Sequence, residues 1–123
     1  MERICLDSDV ALDFLKGERS IVEKLQYYAN REEVCIDALT AVELATIVKK
    51  SRVIDEFFNS VTILPFDRKS AQLTMRMIND LKETGHRPSM SSLHTASICM
   101  ANNAFLFTKD RSKFEGIKGL RLV

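Results

Sequence analysis

A chain of 123 residues, 46% hydrophobic and 28% charged, has room for one domain spanning 1–123 and needs no disulfide or metal staple to fold. Eighteen Lys and Arg against seventeen Asp and Glu leave a net charge of +1. That balance excludes a strong overall field drawing the molecule onto nucleic acid or membrane, so any such contact must use a local patch.

Cys5, Cys35 and Cys99 are odd in number and each lies in an apolar run, which predicts buried free thiols rather than a disulfide or zinc framework. No segment approaches the roughly 20 apolar residues of a membrane helix, and the start lacks a secretion-signal pattern. A cytoplasmic location with no membrane partner is the expectation.

Arg3 to Asp7 is a short apolar run ending in acid, and Val10, Leu12, Phe14 and Leu15 then recur with helical spacing up to Gly17. Ser20 begins a second amphipathic helix, and Val34 to Ile36 is the next β-branched run. Thr40 followed by Glu43 and then Leu44, Ile47 and Val48 has the form of a capping box at a helix start. A short helix is expected over Val53 to Phe58, a strand over Val61 to Leu64 and a long helix from Asp67 to Thr84, with Gly85 as its stop. Another helix is placed at about Ser89 to Asn102, a strand at Ala104 to Thr108, a turn and short helix at Lys109 to Phe114, and an edge strand at Leu120 to Val123. Alternating strands and helices predict a three-layer α/β/α sandwich with a mainly parallel sheet of about five strands.

In open parallel sheets ligands bind beyond the carboxyl ends of the strands, which singles out Asp7, after Ile4-Cys5-Leu6, and Asp110, just past Ala104-Phe105-Leu106-Phe107. Two carboxylates ~4 Å apart repel by about 4 kcal/mol at an effective dielectric near 20, and a hard divalent cation turns that repulsion into attraction. The plainer reading of each is a helix cap or an Asx turn. Asp9 is an alternative cap for the first helix, which leaves Asp7 unexplained by capping, whereas the pairing with Thr40 accounts for Glu43.

Four stretches resemble the PIN-domain family, in particular VapC-type toxin nucleases of toxin-antitoxin pairs. They are Ile4-Cys5-Leu6-Asp7-Ser8-Asp9-Val10, Thr40-Ala41-Val42-Glu43-Leu44, Ser91-Ser92-Leu93-His94-Thr95-Ala96-Ser97, and Thr108-Lys109-Asp110-Arg111-Ser112-Lys113-Phe114. The resemblance covers nearly the whole chain. It implies that Asp7, Glu43 and Asp110 match three of the family's four metal-site acids and would hold Mg²⁺ or Mn²⁺. Ser91 falls at the fourth position, with Ser92 as the alternative if the register slips by one, and Lys113 stands where an acid is common. A serine is a neutral ligand, so the site is expected to be weakened or completed by substrate phosphates.

The implied activity is metal-assisted hydrolysis of RNA, with Lys109, Arg111 and Lys113 offered as phosphate contacts and as ordinary solvated charges in the plainer reading. Ser8 is read as helping to orient Asp7 or as an ordinary turn residue, and His94 as a packed histidine. The implied partners are a cognate antitoxin and a second copy of the chain. The apolar face of the Ser20–Asn30 helix and the Ile54, Phe57 and Phe58 cluster are read first as core. The competing reading of the whole chain is a catalytically impaired PIN-like module that binds RNA or protein.

Overall fold

Apolar runs that end in an acid become strands leading directly into helices. The computed structural model describes residues 1–123. The strands are β1 (Arg3–Leu6), β2 (Glu33–Asp37), β3 (Thr62–Leu64) and β4 (Ala104–Phe107). The helices are α1 (Ser8–Leu15), α2 (Arg19–Ala29), α3 (Ala38–Ile47), α4 (Arg52–Ser60), α5 (Arg68–Leu81) and α6 (Met90–Ala101), followed by a 3-10 turn at Arg111–Phe114. All pairings are parallel, in the order β3-β2-β1-β4.

The sheet has four strands, one fewer than the sequence predicts. Leu120 to Val123 does run beside β4, but Leu106 N–H donates to Arg121 O and Val123 N–H donates to Leu106 O, so both bonds converge on one residue. The result is an isolated bridge between Leu106 and Leu122 rather than a ladder.

Strand pleat divides the core in two, because successive side chains point to opposite faces. Cys5, Cys35, Ala104 and Leu106 face a cluster with Met77 and Leu81 of α5 and Leu93, Ile98 and Cys99 of α6. Ile4, Leu6, Ile36 and Phe107 face the other way, against Val10, Ile21, Leu25, Leu44 and Phe57. This is the expected layering of helices on both sides of a sheet. All three cysteines are buried and free, and burial lifts the Cys35 thiol to about 12. Ile54 and Phe57 are core residues as anticipated. Exposed apolar side chains include Tyr27 of α2, Leu39, Val42 and Ile47 of α3 and Val53 of α4.

Two helix starts differ from the sequence reading. The capping box at Thr40 is not formed: α3 begins at Ala38, capped by Asp37, whose carboxylate accepts from Thr40 N–H at 2.8 Å. Likewise α1 is capped by Asp7 rather than Asp9, with Ser8 N–H donating to Asp7 Oδ1 at 2.9 Å. In both cases the acid that closes the strand is the better cap, because strand and helix are joined with no intervening loop.

Candidate active site

The register that pairs Leu6 with Ile36 puts Asp7 and Asp37 side by side at the carboxyl ends of β1 and β2. Asp7 N–H donates to Phe107 O at 2.9 Å, which ties this end of β1 to the end of β4. Asp7 is 4% exposed, and both carboxylate oxygens are engaged. Oδ1 takes the Ser8 backbone N–H; Oδ2 takes the Thr108 hydroxyl at 2.8 Å and the Lys113 ammonium at 2.8 Å. Ser8 therefore orients Asp7 through its main chain, not its hydroxyl.

The turn after β4 clasps α1 at several points. Thr108 Oγ1 accepts from Asp110 N–H at 3.2 Å while it donates to Asp7, so one hydroxyl joins the two sequence-predicted acids. Lys109 N–H donates to Asp9 Oδ2 at 3.1 Å, and the Lys109 ammonium pairs with Asp13 one turn further along α1. The Asp13 hydrogen bond raises the Lys109 pKa. Burial pulls the Lys113 pKa down, but Asp7, supported by Asp9 and Asp110, outweighs it and leaves that pKa raised. Arg111 donates to Val123 O at 3.0 Å. Each of the three cations expected to meet phosphate is thus already engaged within the chain. Asp110 is exposed at the rim and accepts from the Ser112 hydroxyl at 2.5 Å.

Asp37 is fully buried and has no cation beside it. Its Oδ1 takes Thr40 N–H, and its Oδ2 takes the hydroxyls of Thr40 at 2.8 Å and Thr95 at 2.9 Å. It binds β2, α3 and α6 into one corner, through a helix N-terminus and neutral donors.

The remaining sequence candidates are spread around this corner. Glu43 lies on the exposed side of α3, with no side-chain hydrogen bond or ion pair. Ser91 is exposed and unbonded in the first turn of α6, whereas Ser92 is buried and accepts a 3.0 Å bond from the Ser89 hydroxyl. His94 is half-buried, edge-on to Phe66 with centroids 5.0 Å apart, as a packed histidine should be. No three of the acids, histidines or cysteines stand close enough to hold one ion. Asp7 and Asp9 meet Thr108 with their carboxylates and Asp110 meets it with its main chain, and Glu43 is not drawn into that group.

Sequence reasoning did not single out Thr108, Asp13, Asp37 or Thr95. Asp37 had a readable signal, since Val34-Cys35-Ile36-Asp37 repeats the pattern of Ile4-Cys5-Leu6-Asp7. Thr95 and Asp13 had none, because both act through contacts distant in sequence.

No protein-family model matches the chain, and no curated protein sequence does. Solved structures do match. VapBC2 from Rickettsia felis, bound to a DNA fragment from its promoter, is similar with TM-score 0.88 at 22% identity, over 98% of this chain and 97% of that one. DNA-bound VapBC from Salmonella typhimurium gives 0.83 at 21%, over 100% and 98%. VapBC-1 from nontypeable Haemophilus influenzae gives 0.84 at 20%, over 98% and 96%. This chain is PIN-like in fold.

The likeness of structure and the resemblance of sequence point to one architecture. A PIN-like site raises the question of whether these residues suit a divalent metal. The donor chemistry does: Asp7, Asp9 and Asp110 offer hard anionic oxygens, and the pocket already attracts a cation, since an ammonium stands 2.8 Å from Asp7. The arrangement is short of donors, and the place beside Asp7 Oδ2 is taken by Lys113.

Proposed function

We infer that this chain is the toxin component of a VapC-type toxin-antitoxin pair, and that it hydrolyses RNA phosphodiester bonds in the Asp7 pocket with the help of Mg²⁺ or Mn²⁺. One observation carries the reading: the Asp7 and Asp9 carboxylates both reach Thr108 Oγ1, which also accepts from Asp110 N–H, at the carboxyl ends of β1 and β4, where a parallel sheet places its ligands.

Asp7 and Asp110 would hold the ion, and Glu43, which stands outside this group on the exposed side of α3, would have to turn toward it to reach the ion or its water. There the metal supplies Lewis acidity toward a phosphoryl oxygen and lowers the pKa of a bound water. The chain's own residues supply the rest. Ser8 N–H and the Thr108 hydroxyl fix the Asp7 carboxylate, so no reorganisation is needed there when substrate arrives. Lys109, Arg111 and Lys113 edge the same turn, and a phosphodiester offers each an anion in exchange for its present partner.

The partner proposed is an antitoxin, with homodimerisation of the toxin. Exposed Leu39, Val42, Ile47 and Val53 support a protein partner, because a helix as apolar as α3 is seldom left facing water. The structural relatives were themselves solved as two-protein VapBC assemblies.

The test is cleavage of single-stranded and structured RNA with Mg²⁺ or Mn²⁺, with chelator, and with Asp7→Asn. Metal-dependent cutting that Asp7→Asn removes is the expected result. RNA left intact at millimolar metal would replace this reading with a second one, a non-catalytic PIN-like module. That alternative is favoured by the absence of any three-acid cluster and by serine at both Ser91 and Ser92.

A further inference from the structure

The Lys113 ammonium holds a place on Asp7 Oδ2 that a metal ion could otherwise use. Three donors surround the carboxylate: Ser8 N–H on Oδ1, and the Thr108 hydroxyl and Lys113 Nζ on Oδ2. The first is main chain, fixed by the start of α1, and the second is a buried side chain bonded on its other side to Asp110 N–H. Neither can leave without unmaking the strand end. Lys113 can, because its side chain is 35% exposed and turns about four rotatable bonds.

Its turn is nonetheless anchored. Phe114, the next residue, is 4% exposed in the core, and the ammonium lies 5.6 Å from that ring's centroid. The lysine is therefore delivered to Asp7 by a fixed backbone, not by a wandering loop. The other acids of the pocket face the same charge: Asp9 on α1 and Asp110 on the turn both act on Lys113. Lys109 does not share this role, since it reaches past the pocket to Asp13.

On these grounds we propose that Lys113 is the built-in cation of the Asp7 pocket, and that a divalent ion reaches Asp7 only by displacing its ammonium. This rests on the metal-dependent reading above and adds to it: the folded chain carries its own competitor for the metal. The competition is one of charge and place. A neutral side chain of similar length removes both the positive charge and the donor, while a second cationic side chain keeps the charge.

The experiment measures Mn²⁺ binding by isothermal titration calorimetry, with metal-induced shifts in melting temperature as a second readout, on the wild-type chain, Lys113→Met, Lys113→Arg and Lys113→Met/Asp7→Asn. Circular dichroism confirms that each variant is folded. The expected result is Mn²⁺ affinity at least tenfold higher in Lys113→Met than in the wild type, no such gain in Lys113→Arg, and loss of the gain when Asp7→Asn is added. Equal affinity in wild type and Lys113→Met, with binding still dependent on Asp7, would overturn the proposal and leave the metal-dependent reading standing. A gain in Lys113→Arg as large as in Lys113→Met would also overturn it, since charge would not be the cause. Absence of binding in folded Lys113→Met would remove both.

Discussion

Asp7 and Asp37 stand side by side at the ends of neighbouring strands, cap the helices that follow, and have opposite surroundings. Asp7 is held by two neutral donors and one partly exposed ammonium. Asp37 is sealed among a backbone N–H and the hydroxyls of Thr40 and Thr95, with no cation in its shell. Both satisfy the need of a carboxylate for hydrogen bonds, but only the first has a partner that can be exchanged for another cation. The same backbone position therefore serves binding in one strand and architecture in the next.

Asp7→Asn gives the largest separation of the two. Asparagine caps a helix as well as aspartate does, so α1 should persist while RNA cleavage falls at least about a hundredfold; a matching loss of stability in urea would show Asp7 to be architectural after all. Asp37→Ala is expected to behave in the reverse sense. It removes a cap and leaves two buried hydroxyls without their acceptor, a cost of roughly 3 to 4 kcal/mol in denaturant unfolding.

Alkaline pH probes the core beneath both acids. Cys35 is raised from 9.0 to about 12 in the folded chain. Its contribution to stability is complete below the unfolded thiol's pKa and is lost as pH rises toward the folded value. Stability should fall between about pH 9 and 12 by up to ~1.4 kcal/mol per pH unit for this one proton. Cys35→Ala should make that part of the profile shallower, with the remaining slope coming from Cys5, whose thiol is also pushed up, by its bond to Cys99 and by burial; urea midpoints across the range measure it.

Thr95→Val sharpens the comparison from the α6 side, with an expected loss of about 1 kcal/mol and no change in metal affinity; a change in metal affinity would link the two corners. Glu43→Gln is the mildest. With no bond to break, it should alter stability by less than about 0.5 kcal/mol, and a larger loss in a thermal melt would restore a structural role for Glu43.

Much of this was legible because short apolar runs closed by an acid are strong local signals. β1 and β2 announce themselves in that way, β4 by its apolar run with an acid shortly after it, and the helices between them follow from spacing. Their strand-end positions then singled out Asp7 and Asp110, which the structure joins through Thr108. What escaped was whatever depends on a partner far along the chain. Thr40 looks like a cap until Asp37 is seen bonded to both its N–H and its hydroxyl. Lys113 looks like a solvated charge until the fold returns it to Asp7, 106 residues earlier in the sequence. The fifth strand failed for a geometric reason, since its two hydrogen bonds meet at Leu106 alone.

The free edge at β3 has a consequence for handling the protein. Only three residues long and followed at once by Pro65, it offers an incoming chain too short a template to extend the sheet. Concentrated solutions should accordingly resist strand-mediated polymerisation, despite Ile63 lying exposed there.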